Sequence, residues 1–170
     1  MPLTKTRREL FSGFRGGGAQ HRPPWTHDEF AFTEACTQCG KCGEVCPQGI
    51  IIKGHAGYPI VTFSKEGCTF CGACAEVCET DCFIEAGKRK DKAWTLRALV
   101  STACVEAKGV ACRMCQDACE YDALRFQPKL GGAANLVIDE NCCTGCGVCV
   151  SHCPVGALSI LEQSSMEVTS

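Results

Sequence analysis

The sequence has no long apolar run, which argues against a membrane-inserted chain. No stretch approaches the roughly 20 apolar residues of a transmembrane helix. Near the N-terminus, Thr6-Arg7-Arg8-Glu9-Leu10-Phe11 superficially resembles a twin-arginine export signal. Such a signal needs about 7–15 apolar residues after its arginines, but glycine-rich and polar sequence follows, as far as Arg22-Pro23-Pro24. We therefore expect a cytoplasmic protein whose arginine pair lies in a flexible basic arm.

Catalytic motifs are also missing. The chain has no nucleophile–base pair and no dinucleotide fingerprint, and Gly16-Gly17-Gly18 lacks the preceding strand of a phosphate-binding loop. We therefore predict that the protein is not an enzyme.

Neither sign of charge is in large excess, since the formal net charge is −2. Residues 1–22 and residues 86–97 each hold five Lys or Arg and one acidic residue, so each carries +4 and the remainder carries −10. Aromatic residues do not alternate with these basic segments, so we expect no nucleic-acid partner. An acidic body with two basic segments favours oriented docking to a protein, and mobile solvated charge is the alternative.

Cysteine, by contrast, is abundant, with 18 residues in a chain of 170. Three runs have the spacing C-x2-C-x2-C-x3-C: Cys36, Cys39, Cys42 and Cys46; Cys68, Cys71, Cys74 and Cys78; and Cys143, Cys146, Cys149 and Cys153. A fourth, irregular run comprises Cys104, Cys112, Cys115 and Cys119. Pro47 and Pro154 follow the first and last runs, as in bacterial ferredoxins. The regular runs predict three 4Fe–4S clusters and the irregular run a fourth, with a three-cluster protein as the alternative.

Disulfides or zinc sites could also account for so many cysteines. Cysteines at every third residue make poor disulfide partners for one another. Zinc sites combine one C-x2-C pair with a second pair to give four ligands, whereas each run here already has four cysteines. The spacing therefore favours iron–sulfur clusters. Because aromatic residues make up only 7% of the chain, clusters should fill much of the interior, and the apoprotein should be largely unfolded.

In two-cluster ferredoxins, the fourth cysteine of each run ligates the other cluster. This exchange rule predicts four ligand sets: Cys36, Cys39, Cys42 and Cys78; Cys68, Cys71, Cys74 and Cys46; Cys143, Cys146, Cys149 and Cys119; and Cys104, Cys112, Cys115 and Cys153. Cys82 and Cys142 are surplus, and a surplus cysteine near a cluster is usually a small buried residue. We assign none of His21, His27, His55 and His152 to metal.

The runs form two copies of one unit, which predicts an α+β fold of tandem bacterial-type ferredoxin-like modules. Apolar stretches at 50–52 and 58–63, and at 123–126 and 136–138, flank glycine-containing loops and predict two hairpins. Residues 157–161 predict a closing strand, residues 94–100 an amphipathic helical turn, and the fourth cysteine of each run the start of a short helix. We expect a basic, mostly irregular arm over 1–30, modules over 31–85 and 104–163, a basic linker over 86–103 and a tail over 164–170.

The chain resembles the NapF family of ferredoxin-type proteins of periplasmic nitrate reductase systems. The resemblance is carried by Arg22-Pro23-Pro24-Trp25, by Gly57-Tyr58-Pro59, and by the segment from Cys112 to Glu120 in the irregular run. It implies a cytoplasmic accessory protein that binds the catalytic subunit of periplasmic nitrate reductase before export. It also implies a role in assembly or redox poise of that subunit's own iron–sulfur cluster. The competing hypothesis is an electron carrier or an electron-transfer subunit of a larger oxidoreductase.

Overall fold

The computed structural model describes residues 20–84 and 93–163 of the chain. The arginine pair of the basic arm, most of the basic residues of the linker, and the tail over 164–170 lie outside the described residues. The helices are α1 (Glu29–Ala35), α2 (Lys41–Glu44), α3 (Ala73–Glu76), α4 (Met114–Asp117) and α5 (Val148–Ser151). The strands are β1 (Ile51–Lys53), β2 (Pro59–Val61), β3 (Leu96–Val100), β4 (Leu124–Pro128), β5 (Ala134–Ile138) and β6 (Leu158–Glu162).

Each half of the chain contains one antiparallel hairpin and two one-turn helices. In the first half β1 pairs with β2, with Ile51 opposite Val61. In the second half β4 pairs with β5, with Leu124 opposite Ile138. Both hairpins lie where the apolar stretches predicted them. The one-turn helices are expected to begin near the fourth cysteine of each run. They begin earlier: each carries the third cysteine and ends before the fourth.

The prediction of a helical turn over residues 94–100 is wrong, because this segment forms strand β3. β3 pairs antiparallel with β6, so that Ala98 lies opposite Ile160. Leu96 and Ala98 are buried, whereas Leu99 is exposed, as expected when successive side chains of a strand point to opposite faces. The predicted closing strand β6 needs a partner for its backbone groups, and β3 supplies it.

Helix α1 begins at the boundary between the predicted N-terminal arm and the predicted first module. Asp28 caps this helix by accepting hydrogen bonds from the backbone N–H groups of Phe30 and Ala31. Phe32 on α1 is almost fully buried. The guanidinium of Arg22 lies 5.0 Å from the centre of the Phe32 ring and donates to the Glu29 carboxylate, so contacts outside the helix also hold it in place.

Residues 21–25 join the two halves although they form no regular element. The carbonyl of His21 accepts a hydrogen bond from the Val61 N–H of the first half, at 2.7 Å. Its buried ring lies with Nε2 2.9 Å from the carbonyl oxygen of Ile160 in the second half. Trp25 is also buried and donates its backbone N–H to the carbonyl of Ala93. This segment therefore contributes to the core as well as connecting it to the N-terminal arm.

A direct interface joins the two halves beside their cysteine runs. The backbone N–H of Cys68 donates to the carbonyl of Cys146, with 2.7 Å between nitrogen and oxygen. The indole Nε1 of Trp94 donates to the carbonyl of Thr144 at 2.8 Å. The ring of Phe63 meets Trp94 edge to face, with 5.9 Å between ring centres. The two modules are thus packed against each other along one continuous apolar core.

Gly145 permits strand β3 to lie close to the last cysteine run. It has φ +69°, and a Cβ on it would overlap the carbonyl oxygen of Leu96 and lie 2.8 Å from the Leu96 Cβ. Gly156 also has positive φ (+60°), but a Cβ there would meet nothing within 4 Å. The two positions therefore share one backbone conformation and differ in the space around them.

Replacing Gly145 with alanine should destabilise the protein much more than replacing Gly156 with alanine. Both changes impose the left-handed backbone cost of about 1–2 kcal/mol on a residue with a Cβ, and only Gly145→Ala also displaces strand β3. The measurement is the midpoint of thermal loss of visible absorbance in anaerobic protein. Equal midpoints for the two variants would show that the interface tolerates a side chain at position 145.

Candidate metal centres

A left-handed glycine opens the helix in each regular run. Gly40 precedes α2 with φ 85°, Gly72 precedes α3 with φ 84°, and Gly147 precedes α5 with φ 79°. This conformation lets the chain turn sharply after the second cysteine and present the third cysteine on the helix. The irregular run has Arg113 at the corresponding position, with φ −125°. Helix α4 therefore starts from a different backbone conformation and still carries Cys115.

The fourth cysteine of every run leaves the helix by the same hydrogen bond. In each case its backbone N–H donates to the carbonyl of the residue that follows the third cysteine: Cys46 to Gly43, Cys78 to Ala75, Cys119 to Gln116 and Cys153 to Val150, at 3.1–3.4 Å. This tight turn ends the helix and directs the chain away from the first three cysteines. The fourth thiol is thereby free to reach a different cavity.

Four cavities are lined by four predicted ligands each. The first cavity is lined by Cys36, Cys39, Cys42 and Cys78, the second by Cys46, Cys68, Cys71 and Cys74, the third by Cys119, Cys143, Cys146 and Cys149, and the fourth by Cys104, Cys112, Cys115 and Cys153. These are the four sets that the exchange rule predicts. The second, third and fourth cavities enclose about 350, 300 and 330 Å³ including their mouths. Ligation of metal by these thiols stays a prediction.

A buried glutamate organises the irregular run. Glu106 lies in a 3₁₀ turn, Glu106–Lys108, between the first two cysteines of that run. Its carboxylate is 6% exposed and accepts a hydrogen bond from the backbone N–H of Cys112. Arg113 lies 3.6 Å from the same carboxylate. The longer gap between Cys104 and Cys112 is therefore an ordered turn that leads both cysteines to the fourth cavity, and no spacing signal in the sequence singles out Glu106.

The first cavity differs from the others because it contains a fifth thiol. It encloses about 630 Å³ including its mouth, and Cys82 lines it together with the four predicted ligands. Cys82 is 1% exposed, and burial raises the pKa of its thiol to about 11. The hydroxyl of Thr80 lies 3.1 Å from Sγ of Cys82 and 3.5 Å from Sγ of Cys78. Cys142, the other surplus cysteine, is exposed beside Asp139.

Residues outside the cysteine runs also line the cavities. Pro24 and Trp25 border the second cavity, which places the Arg22–Trp25 motif of the sequence beside a predicted cluster. Thr144 borders the third cavity, and its buried hydroxyl makes no full hydrogen bond among the described residues, interacting only with the thiol of the predicted ligand Cys146. A buried donor without a full hydrogen bond is costly, and the sulfides of a cluster would accept a hydrogen bond from it. The third cavity therefore suits an occupant that carries acceptor atoms.

The buried thiols need a positively charged occupant to ionise. All 18 cysteines are free thiols. Burial, followed by neighbouring charges, raises the pKa of Cys68, Cys74 and Cys149 to about 12. Burial likewise raises the pKa of Cys115 to about 11. Since thiolates are the metal ligands, binding of a metal group would release these protons and convert mutual repulsion into attraction.

The arrangement of the thiols indicates a polynuclear group. A single zinc ion holds four ligands at about 2.0–2.3 Å from one point. No three or more His, Cys, Asp or Glu side chains of residues 20–84 and 93–163 converge in this way. Each set of four thiols instead lines a shared cavity, an arrangement that suits a 4Fe–4S cube held at its corners.

Comparison with known families agrees with this geometry. Two family models, each described as a 4Fe-4S dicluster domain, match the chain, one at residues 34–83 and the other at residues 108–157. Each match covers one hairpin, two one-turn helices and the cysteines of two cavities, with the exception of Cys104. The chain is thus a 4Fe–4S protein of the tandem dicluster ferredoxin type.

Comparison with individual proteins defines the family further. The chain is 38% identical to the "Ferredoxin-type protein NapF" of Escherichia coli K12, over 94% of this chain and 96% of that protein. It is 40% identical to the protein of the same name in Haemophilus influenzae, over 86% of this chain and 81% of that protein. The "Methylamine utilization ferredoxin-type protein MauM" of Methylorubrum extorquens is 27% identical over 82% of this chain and 70% of its own length. The chain belongs to the NapF family of ferredoxin-type proteins.

The structure bears on membrane insertion through its described helices. None of the helices in residues 20–84 and 93–163 has the length and apolar character required to cross a bilayer.

Pairs of cysteine substitutions test the ligand exchange by iron counting. Cys46→Ala combined with Cys71→Ala should lose no more iron than either single variant, because both thiols line the second cavity. Cys46→Ala combined with Cys39→Ala should lose the sum of the two single losses, because these thiols line different cavities. Independent sites add and shared sites do not. Additive loss in the first pair and shared loss in the second would overturn the exchange.

Proposed function

We propose that the protein is a four-cluster accessory factor for the catalytic subunit of a periplasmic nitrate reductase. It acts in the cytoplasm, before that subunit is exported, and assists assembly or redox poise of the subunit's own iron–sulfur cluster. Membership of the NapF family over nearly the whole chain supports this role. The chain itself carries out no catalysis in this proposal.

The observation that carries the cluster assignment is the grouping of sixteen thiols into four cavities of four. Every cavity takes three thiols from one run and the fourth from another. Fully thiolate-ligated 4Fe–4S clusters accept and release single electrons. The chain's part is to hold the cubes, to offer buried donors such as the Thr144 hydroxyl, and to exclude water by surrounding the inner sites with apolar side chains.

The first cavity is the best placed of the four to face a protein partner. It is the largest of the four, and Cys39 at its edge is exposed. An ion pair of 2.6 Å between Lys41 and Glu79 lies beside its mouth. Ile84 follows the cavity-lining Phe83 and is 63% exposed. An exposed apolar residue, a charged rim and an accessible thiol edge together suit docking of a folded protein.

The second candidate function is that of an electron carrier or an electron-transfer subunit. The four-thiol sites favour it, since sets of four protein ligands leave no open coordination position for substrate chemistry. The two functions make different demands. A maturation factor must bind the unexported catalytic subunit, whereas a carrier must turn over with a donor and an acceptor.

Metal analysis should find about 16 iron and about 16 acid-labile sulfide atoms per chain, at four of each per cluster. The protein must be purified anaerobically, because exposed cluster edges at Cys39 and Cys71 are accessible to oxidants. About 12 of each would leave only the three regular runs occupied and would overturn the fourth site. Zinc without sulfide would overturn the cluster assignment as a whole.

Binding to the cytoplasmic precursor of the catalytic subunit tests the accessory role. The holoprotein should bind the immobilised precursor at low salt, and Ile84→Ser should weaken binding at least several-fold. Leu130→Ser is the matched control, since Leu130 is also exposed but lies in the turn between β4 and β5. The control should bind like the unchanged protein.

A deletion strain separates the two candidate functions. If the nitrate reductase matures normally without this protein and the precursor does not bind it, the accessory role fails. Reversible reduction coupled to turnover of a purified oxidoreductase would then establish the carrier function.

A further inference from the structure

The turn after each one-turn helix links two cavities within one half of the chain. Cys42 on α2 lines the first cavity, and Cys46 after it lines the second. The residue between them in the hydrogen-bonded path is Gly43, whose carbonyl accepts the Cys46 N–H. Cys149 and Cys153 bear the same relation to the third and fourth cavities, through the carbonyl of Val150. Each half therefore holds a connected pair of sites.

A shorter connection joins the two halves. Cys68 lines the second cavity and Cys146 lines the third. The backbone N–H of Cys68 donates directly to the carbonyl of Cys146 at 2.7 Å. A continuous path runs from Sγ of Cys146 through its Cβ, Cα and carbonyl, across this hydrogen bond, and through the nitrogen, Cα and Cβ of Cys68 to its Sγ. No third residue intervenes.

The packing around this hydrogen bond leaves no room between the second and third cavities. A Cβ on Gly67 would overlap the side chain of Val148 and lie 2.8 Å from the Cys146 carbonyl oxygen. A Cβ on Gly147 would overlap the ring of Phe63. Glycine from each half thus meets a side chain of the other, so the contact is close in both directions.

We propose that the four sites form one series in the order first, second, third, fourth, with the Cys68–Cys146 contact as its central link. The proposal rests on occupation of all four sites, as in the proposed function, but not on the identity of the partner. Each transfer oxidises one site by one electron and reduces its neighbour by one, with no atom or proton exchanged. Electrons enter from an external one-electron donor at one end and leave to a one-electron acceptor at the other.

The series and two separate pairs predict different spectra when an end site is removed. In the series, loss of the first site leaves the second coupled to the third. In two separate pairs, loss of the first site leaves the second without a magnetic neighbour. The discriminating variant is therefore Cys39→Ala/Cys42→Ala, which removes two of the four thiols of the first cavity and neither residue of the central link.

The experiment is electron paramagnetic resonance of anaerobic, dithionite-reduced full-length protein. Cys39→Ala/Cys42→Ala should show no uncoupled cluster signal. Cys71→Ala/Cys74→Ala is the reference, because it removes the second site and should leave the first site as an uncoupled signal. Both variants must retain about 12 iron atoms per chain, which is the content of three clusters. An uncoupled signal in both variants would overturn the series.

The corresponding variants of the second half provide an independent test. It remains valid if the two variants of the first half do not fold. Cys112→Ala/Cys115→Ala removes the fourth site and should leave no uncoupled signal. Cys146→Ala/Cys149→Ala removes the third site and should leave the fourth uncoupled. An uncoupled signal from the third site in Cys112→Ala/Cys115→Ala would overturn the series, as would an uncoupled signal from the second site in Cys39→Ala/Cys42→Ala.

A steric variant tests the central link without removing a ligand. Gly67→Ala, added to Cys39→Ala/Cys42→Ala, should move the second site away from the third and narrow the coupled signal at unchanged iron content. Gly54→Ala is the matched control, since its Cβ would lie 2.6 Å from Cγ2 of Ile60 within the first hairpin and away from the interface. The same spectrum from both glycine variants would overturn the role of this contact. These spectra do not depend on binding of the precursor, so failure of precursor binding would not affect this test.

Discussion

The structure depends on one electrostatic constraint, which is that groups of buried thiols must face a shared positive charge. Neighbouring thiols disfavour one another's ionisation, and burial holds the protons of the enclosed ones, such as Cys68, Cys74 and Cys149, in place. A metal group that supplies the positive charge turns each group into an attractive centre, and its binding energy becomes folding energy. This explains how a chain with few large aromatic side chains can order strands of three to five residues and helices of a single turn. Such elements are too short to be stable alone.

The same constraint explains how the two halves are assembled. Exchange of the fourth cysteine ties two sites into one module, so neither site can form without the other's run. The modules then meet through backbone and glycine at Cys68 and Cys146. Residues 21–25 contact both halves: Trp25 lines the second cavity, and the His21 ring lies against strand β6. The described parts of the two halves therefore share one packed core.

The grouping of the thiols around four cavities could be predicted, because cysteine spacing determines how a short loop can wrap a cube. The hairpins could be predicted from apolar stretches that flank glycine. Strand β3 could not, because its partner β6 lies far along the chain and local pattern alone allows a helical turn. Helix α1 is too short to show a clear apolar period, although Asp28 is a good cap. The role of Glu106 and the lack of room for a side chain at Gly67 depend on tertiary contacts that no spacing rule describes.

The exchange of cysteines also sets an order in which the ligands emerge during synthesis. The second cavity has all its thiols once Cys74 leaves the ribosome, whereas the first waits for Cys78. In the second half the third cavity is complete at Cys149 and the fourth only at Cys153. In each half the site next to the module boundary can therefore be filled before the outer one. Within each half, a nascent chain could therefore fill the inner site ahead of the outer one, and a chain released between Cys149 and Cys153 would lack only the fourth site.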